Sequence, residues 1–268
     1  MRVLEAADAA GGQIRLTARS PRRREMMGII DWRLAECERL GVRIGYNVWA
    51  EAGDVLAEAP DVVVIATGGI PQTDLPGGGG DLVVSAWDIL SGDAKPGTSV
   101  LIHDEAGDHA GLQAAEMIAA TGARVEILTP DRAFAPEVMA MNLVPYMRSL
   151  QALEATFTVT WRLLSVARRG NRLVARVGSD YGAVVREREV DQVVVNHGTL
   201  PLDALYFALK PLSRNLGAVD YDALLEGRPQ AVATNPGGRF QLFRIGDAVS
   251  ARNIHAAIYD ALRLVKDF

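Results

Sequence analysis

The chain has 268 residues, of which 49% are apolar, and a formal net charge of −5. That length supports one large or two modest domains, and the acidic balance gives no reason to expect nucleic acid as a partner. No run of 18 or more apolar residues and no signal-peptide pattern is present, so we expect a cytoplasmic protein without a membrane partner.

Cys37 is the only cysteine. A disulfide, a Cys-x-x-Cys redox pair and an iron–sulfur cluster are therefore excluded within this chain. Cys37 follows a helical pattern of apolar residues, which predicts a small core residue and not a nucleophile. The four histidines, at positions 103, 109, 197 and 255, are too scattered for a metal-ligand spacing. We predict no catalytic residue and no metal site.

A short apolar strand at the N-terminus ends in Glu5 and is followed by Gly11, Gly12 and Gln13. In dinucleotide-binding folds, a carboxylate at the end of the second strand accepts hydrogen bonds from the ribose, about 20 residues after a Gly-x-Gly-x-x-Gly turn. No such turn precedes Glu5 here. The chain is either a fragment of a longer protein that lacks its first strand and helix, or Glu5 is an ordinary surface residue.

Two further apolar strands end in glycine-containing turns. Residues 61–66 lead into Ala66-Thr67-Gly68-Gly69, and residues 241–245 lead into Gly246-Asp247 and then a helix over 254–265. A glycine lets a ligand approach the backbone, a carboxylate accepts from a polyol, and a helix N-terminus offers unpaired N–H groups to a phosphate. Taken alone, the turn after residue 66 is equally typical of an ordinary loop.

The middle of the chain predicts a second βαβ unit, with strands over 99–103 and 124–128 around a helix over 111–121. Its first turn, 103–111, has only two glycines, Gly107 and Gly111, and three acidic residues. Each close acid repels a pyrophosphate by about 1 kcal/mol in a watery site, so tight NAD(P) binding is doubtful. After the next strand, Asp131 could accept from a ribose and Arg132 could meet a 2′-phosphate, or both are solvated loop residues.

The remaining patterns predict helices over 25–40 and 137–153, strands over 42–48, and antiparallel strands between 157 and 195. The basic run 15–24 and the glycine-rich stretch 71–80 are interpreted as a solvated segment and a flexible connection. We predict two domains. Residues 1–95 and 201–268 form the first, and residues 96–200 are inserted into it.

Five features occur in order along the chain: Glu5-x5-Gly11-Gly12-Gln13, Ala66-Thr67-Gly68-Gly69, the acidic turn, Thr129 to Arg132, and Ile245 to Ala248. In combination they resemble the C-terminal half of the NADH:flavin oxidoreductase family. This family includes trimethylamine, dimethylamine and histamine dehydrogenases, dienoyl-CoA reductase and N-methylproline demethylase. The resemblance implies an α/β fold with two Rossmann-like domains of the glutathione-reductase type, the first incomplete at its N-terminus. It implies FAD or ADP in the first domain, and FMN with an iron–sulfur cluster only in an N-terminal TIM barrel that this chain lacks.

The resulting functional prediction is a cofactor-binding and electron-transfer module of a flavin-dependent oxidoreductase acting on amines or enoyl substrates. The alternative is a non-catalytic adenine-nucleotide-binding or assembly module. The chain alone is expected to be inactive and to bind FAD weakly or not at all. Expected partners are the TIM-barrel portion or a partner subunit, an electron-transfer flavoprotein as in the amine dehydrogenases, and a second copy of the chain. The predicted cofactor contacts, which we expect to line one cleft, are Glu5, Gly11, Gly12, Gln13, Ala66, Thr67, Gly68, Gly246 and Asp247, and the predicted contacts of a weaker second nucleotide site are Gly107, Gly111, Asp131 and Arg132.

Overall fold

The computed structural model describes residues 1–266. Within them, the strands are β1 (Arg2–Leu4), β2 (Arg43–Gly45), β3 (Val62–Ile65), β4 (Gly69–Pro71), β5 (Val84–Ser85), β6 (Ser99–Asp104), β7 (Arg124–Thr129), β8 (Thr156–Val159), β9 (Trp161–Arg169), β10 (Arg172–Ser179), β11 (Val185–Val190), β12 (Gln192–Asn196), β13 (Thr199–Pro201) and β14 (Gln241–Arg244). The α-helices are α1 (Gln13–Thr17), α2 (Met27–Arg39), α3 (Ala52–Ala57), α4 (Ala86–Ser91), α5 (His109–Ala119), α6 (Ala140–Ala152), α7 (Ala204–Leu209), α8 (Tyr221–Glu226) and α9 (Ile254–Val265).

The chain divides into two compact units, each built from separate segments. The first unit contains Met1–Ala10, Arg33–Ile70 and the residues from Thr199 onward. The second unit contains Gly11–Trp32 and Pro71–Gly198. The predicted domain limits, 1–95 with 201–268 and 96–200, stay a prediction, and residues 267 and 268 lie outside the described residues.

The first unit holds two separate parallel ribbons. Strand β1 pairs with β2, with Val3 opposite Ile44, and β14 pairs with β3, with Leu242 opposite Val63. No ladder joins the two ribbons within residues 1–266. The apolar faces of β3 and β14 pack with α3 and α7 into one small core, of which Leu209 and Leu242 are fully buried members.

The second unit is organised around a five-stranded sheet in the order β5-β12-β6-β7-β8. Every pairing in it is parallel, and every residue of β6 is buried. Alternate residues of β6 point to opposite faces, as the period of two in a strand requires. Val100 and Ile102 join α5 and α6 in one core, whereas Leu101 packs against the antiparallel sheet β11-β10-β9.

The α/β class predicted from the sequence is confirmed, and the long helices and central strands lie close to their predicted limits. Two Rossmann-like domains stay a prediction. Residues 15–24, predicted as a solvated loop and helix start, contain the end of α1 and most of a 3₁₀ helix over Pro21–Met26, and four of their five arginines are exposed. None of the helices in the described part of the chain is long and apolar enough to cross a membrane.

The glycine-rich stretch 71–80 is also better ordered than the flexible connection we predicted. Gly77 donates its N–H to Leu164 O at 2.9 Å, and Val166 donates to Gly78 O at 3.1 Å. A Cβ on Gly79 would lie 1.9 Å from Val166 O. These glycines are therefore needed for close backbone packing against β9.

Candidate functional site

Glu5 lies directly after β1 and is held by the neighbouring loop of the first unit. Its N–H donates to Gly45 O at 2.8 Å, and its carbonyl accepts from Val48 N at 2.9 Å. One carboxylate oxygen accepts from Ala7 N at 2.9 Å. The side chain is half-buried at the carboxyl end of a parallel ribbon, which is where open α/β sheets bind their ligands.

The turns after β3 and β14 lie side by side, since the two strands are parallel and Arg244 pairs with Ile65. Ala66 and Thr67 are exposed. Gly68 has a φ of +75°, which favours glycine. Its carbonyl accepts from Leu202 N at 3.0 Å, and the Thr67 hydroxyl donates to Leu202 O. The turn predicted to contact a cofactor is thus accessible, and its hydrogen bonds to Leu202 hold it in place.

Gly246 and Asp247 are tied to the helix that follows them. Gly246 has a φ of +59°, and its N–H donates to Asp260 Oδ2 at 3.1 Å. Asp247 Oδ1 accepts from Arg252 N at 3.2 Å. Asp260 lies on α9, so a carboxylate of the chain itself accepts from the backbone donor of Gly246. The Asp247 side chain stays half-buried at the end of β14.

The predicted cofactor contacts are divided between the two units. Glu5, Ala66 to Gly68, and Gly246 with Asp247 belong to the first unit, whereas Gly11, Gly12 and Gln13 belong to the second. Gly11 and Gly12 have φ values of +127° and +44° and form the turn into α1. A single cleft containing all nine residues stays a prediction.

In the second unit, the turn from β6 to α5 is built around the fully buried carboxyl of Asp104. Asp104 Oδ1 accepts from Gly107 N at 3.0 Å and from Asn196 Nδ2 at 2.8 Å. The same Asn196 nitrogen also donates to Asp108 Oδ1 at 2.9 Å. Asp108 caps α5 by accepting from Ala110 N at 2.9 Å. The two acids are therefore structural parts of the turn.

The two glycines of this turn lie where a Cβ atom would be too close to neighbouring atoms. A Cβ on Gly111 would lie 2.7 to 2.8 Å from the Asp104 carboxyl atoms, and one on Gly107 would lie 2.5 Å from Pro136. Burial raises the pKa of Asp104 to about 7, against the opposing effect of the Asn196 hydrogen bond. The carboxyl is thus packed under the start of α5 and is only partly ionised near neutral pH.

Four backbone donors of this turn are used within the chain. The N–H groups of Glu105 and Ala106 both donate to Asn196 O at 2.9 Å, and those of Gly107 and Ala110 donate to Asp104 and Asp108. A dinucleotide pyrophosphate accepts from N–H groups of this kind. Weak NAD(P) binding at this turn stays a prediction.

Asp131 and Arg132 lie in the loop after β7. Arg132 is exposed, and its Nε donates to the Tyr181 hydroxyl at 3.1 Å. The backbone carbonyl of Asp131 accepts a hydrogen bond from Thr160 N at 3.0 Å. Both residues thus have contacts with a neighbouring strand or turn of the second unit, and their role in nucleotide binding stays a prediction.

His103 and His197 are in contact, although they are 94 residues apart in sequence, with Nδ1 of the first 2.7 Å from Nε2 of the second. Leu163 N donates to His103 Nε2 at 3.3 Å, so the proton of a neutral His103 lies on Nδ1 and is donated to His197. Burial, followed by the charges of His197 and Arg162, lowers the pKa of His103 to about 3.

The spacing argument that separated the histidines is therefore wrong for this pair. With Glu105, the two histidines have possible ligand atoms within 4.8 Å of one another. However, the hydrogen bond occupies the ring nitrogens that face each other, and Arg162 forms an ion pair with Glu105. We assign the group to hydrogen bonding. In the sequence, His103 and His197 both lie at the carboxyl ends of predicted strands. In the structure, these strands, β6 and β12, are neighbours in the sheet.

The basic run is packed onto the second unit. Arg22 forms an ion pair with Glu116, Arg23 contacts the His109 ring at 2.9 Å from Nδ1, and Arg19 donates to Ser91 O. Arg19 and Arg22 are exposed, as the sequence interpretation expected, and they also contact the last residue of α4 and the face of α5.

Curated proteins similar to this chain in sequence include a demethylase, a dehydrogenase and a reductase. The chain is 68% identical, over 265 residues, to "Probable N-methylproline demethylase" of Rhizobium meliloti (strain 1021), an alignment that covers 99% of this chain and 39% of that protein. The chain matches the C-terminal part of the NADH:flavin oxidoreductase family. It is also 45% identical to "N,N-dimethylglycine/sarcosine dehydrogenase" of Chromohalobacter salexigens, over 99% of this chain and 40% of that protein. The chain thus spans about two-fifths of the curated relatives it matches, and no family model matches it.

Solved structures agree on the fold. A 2-naphthoyl-CoA reductase superposes with a TM-score of 0.77 at 25% identity, over 98% of this chain and 35% of that one. Histamine dehydrogenase from Rhizobium sp. 4-9 has a TM-score of 0.78 at 18% identity, over 98% of this chain and 39% of that one. A water-forming NADPH oxidase bound to NADPH has a TM-score of 0.56 at 15% identity and covers 100% of this chain and 70% of that one. The fold is therefore that of FAD- and NAD(P)-binding oxidoreductases.

Proposed function

We propose that this chain is the cofactor-binding module of a flavin-dependent oxidoreductase that acts on N-methylated amino acids. The observation that carries the proposal is the 68% identity, over 99% of this chain, to the relative named "Probable N-methylproline demethylase". A second relative is named for N,N-dimethylglycine and sarcosine, and a third, 37% identical, is named as an alkene reductase and demethylase. N-methyl amines are thus the substrate class that the relatives support most.

The substrate chemistry belongs, in this proposal, to the part of the protein outside this chain, in a TIM barrel that carries FMN and an iron–sulfur cluster. A bound flavin supplies hydride and electron transfer. The residues of this chain hold and orient an adenine-containing cofactor, FAD or ADP. Its own contribution to catalysis is therefore positioning.

In the first unit, we assign the adenosine ribose to Glu5 and the ribityl chain or adjoining phosphate to Asp247. Both carboxylates are half-buried at the carboxyl ends of parallel strands, where ligands of open α/β sheets bind. The exposed turn 66–68 lies beside Asp247 because β3 pairs with β14. Gly11, Gly12 and Gln13 remain proposed additional contacts.

We propose that the second unit does not bind NAD(P). The N–H groups of Glu105, Ala106, Gly107 and Ala110 are all bonded within the chain, so these four donors are not offered to a pyrophosphate. Electrons then leave through a separate electron-transfer flavoprotein, as the family resemblance implies for the amine dehydrogenase branch.

Because the ribbons of the first unit are separate, we propose that a further strand pairs with them. This strand comes from the remainder of the protein or from a partner subunit. Exposed strand edges tend to pair with another strand, and β1-β2 and β3-β14 are not joined within the described residues. Val62 on β3 and Ile258 and Leu262 on α9 are exposed apolar residues in the same unit. A strand and helix supplied from outside this chain would cover such surfaces.

The test is to purify the whole protein that contains this chain and to assay oxidation of N-methylproline, N,N-dimethylglycine and sarcosine with an artificial electron acceptor. We expect turnover with at least one of the three and a flavin absorbance spectrum. Absence of turnover with all three, in a protein that carries flavin, would overturn the substrate class.

The alternative function is a non-catalytic module with a structural adenine nucleotide. Four backbone donors of the turn in the second unit are bonded within the chain, so in this alternative the structural nucleotide is held by the first unit. A denatured extract of the whole protein distinguishes the two functions. FAD in addition to FMN supports an electron-carrying module, whereas ADP with FMN supports a structural nucleotide in this chain.

A further inference from the structure

A small cavity lies in the second unit between the 3₁₀ helix over Pro21–Met26 and the start of α6. Its volume is about 170 Å³, and it is lined by Arg22, Arg23, Glu25, Met26, Asn142, Pro145 and Tyr146. Pockets for drug-sized ligands measure roughly 300 to 1,000 Å³. This cavity therefore has room for a small ion or one ionised group, and not for a whole dinucleotide.

Arg23 brings an uncompensated positive charge to the cavity. Its guanidinium contacts both ring nitrogens of His109, and burial, followed by the charge of Arg23, lowers the pKa of His109 to about 4. The imidazole is therefore neutral at pH 7. Within residues 1–266, Arg23 forms no ion pair with a carboxylate, whereas the neighbouring Arg22 is paired with Glu116.

The Tyr146 hydroxyl supplies an independent observation. Tyr146 is 0% exposed, and its hydroxyl makes no hydrogen bond of good geometry in the described part of the chain, although the nearby Arg23 guanidinium partly offsets the rise that burial causes in the pKa of Tyr146. The guanidinium of Arg22 lies 5.0 Å from the centre of the same ring. Burying a hydroxyl without a partner costs about 1 to 3 kcal/mol, so a missing partner in the adjoining cavity accounts for it.

We infer that this cavity is a binding site for a small oxyanion, a phosphate or carboxylate group, held by Arg23 and the Tyr146 hydroxyl with Arg22 on its rim. Charge-assisted hydrogen bonds from guanidinium groups are the strong contacts in such sites. Glu25 also lines the cavity and weakens anion binding by repulsion. The anion is free in solution or is one phosphate of a larger nucleotide.

The experiment measures the melting temperature and the heat of binding of the 268-residue chain with sodium phosphate, sodium acetate or ADP at constant ionic strength and pH 7.5. We expect a saturable response to at least one of them. Arg23→Gln should weaken it by about tenfold or more, as expected for a lost charge-assisted contact. Glu25→Gln should strengthen it, and the matched control Arg24→Gln, outside the cavity lining, should leave it unchanged.

The variant Tyr146→Phe distinguishes a loss of anion binding from a loss of folding. Removing an unpartnered buried hydroxyl should leave the melting temperature of the unliganded chain equal or higher, and should weaken anion binding. Saturation by phosphate alone that Arg23→Gln weakens identifies a free anion. Saturation by ADP alone that Arg23→Gln weakens identifies a nucleotide phosphate in this cavity, because ADP held by Glu5 in the first unit would not respond to that substitution. No saturation by any of the three, equal saturation in Arg23→Gln, or an equal loss in Arg24→Gln would overturn the inference.

Discussion

His103 and Asp104 are adjacent at the end of β6, and burial shifts their pKa values in opposite directions. It lowers the pKa of His103 to about 3 and raises that of Asp104 to about 7, because burial disfavours the charged form of each group. The sequence shows both residues, but not that they are buried or that Asn196 and His197 are their partners. Those partners depend on β12 lying beside β6.

The first prediction concerns the pH dependence of stability. Between the ordinary value of 3.8 and about 7, folded Asp104 keeps a proton that the unfolded chain has lost. The free energy of unfolding contributed by Asp104 therefore falls as pH rises through this window. Asp104→Asn removes this contribution, so the difference between the original chain and the variant should decline from pH 4 to 7 and then level off. Urea unfolding at a series of pH values measures it.

Each variant is compared with the original chain because His103 and His109 also change the free energy of unfolding with pH. Their pKa values are lowered, so their effect has the opposite sign to that of Asp104. Their contribution rises with pH up to about 6.5. The exposed Asp74→Asn serves as the control and should give a difference that does not change with pH. A flat difference for Asp104→Asn would contradict the buried, protonated carboxyl.

The second prediction concerns Glu5 in the whole protein. Glu5→Gln removes the charge that we assign to the adenosine ribose, and loss of a hydrogen bond to a charged group costs about 1.5 to 3 kcal/mol. Retention of FAD or ADP during dialysis should fall by about tenfold or more. Glu38→Gln, on the exposed side of α2, is the matched control. Equal retention in both variants would remove Glu5 from the cofactor site.

At the scale of single elements, the start of α5 combines a cap, a buried acid and a glycine. The pattern of apolar residues predicts the helix and its flanking strands, and β6, α5 and β7 form accordingly. For residues 15–24 the local pattern did not show α1 or the contacts that Arg19, Arg22 and Arg23 make with α4 and α5. A propensity argument contains no information on such contacts.

The third prediction compares two helical glycines. Gly111→Ala places a Cβ 2.7 Å from the buried Asp104 carboxyl, and such overpacking costs about 1 to 3 kcal/mol. Gly28 lies on α2 with open space around it, so Gly28→Ala should stabilise the chain by up to about 1 kcal/mol. Thermal and urea unfolding measure both changes. Equal effects of the two substitutions would show that the space above Asp104 is not restricted.

At the scale of the whole molecule, the described residues contain a five-stranded parallel sheet in the second unit, whereas β1-β2, β3-β14 and β4-β13 are three separate two-stranded pairs. The second unit buries its β6 on both faces. The first unit leaves Val62, Ile258 and Leu262 exposed. Apolar side chains such as Met141 and Val144 are exposed in the second unit as well, so the two units differ mainly in how many of their strands are paired in one sheet.

The fourth prediction is that the 268-residue chain alone binds FAD weakly or not at all. A ligand at 100 times its dissociation constant stabilises a fold by about 2.7 kcal/mol, which corresponds to several degrees in melting temperature. We expect no saturable rise with micromolar FAD. The same titration on the whole protein, stripped of cofactor, is the positive control. A saturable rise of several degrees in the isolated chain would contradict the prediction.

The sequence by itself determined the α/β class, the family resemblance and the positions of the strand exits at Glu5, Thr67 and Asp247. These features are readable because apolar periodicity and turn glycines are local properties of the chain. Only the tertiary structure decided that Asp104 is buried, that Asn196 bridges it to Asp108, and that the turn donors are used internally. These contacts join residues 88 to 92 positions apart, and they exist because the order of strands in the sheet brings β12 beside β6.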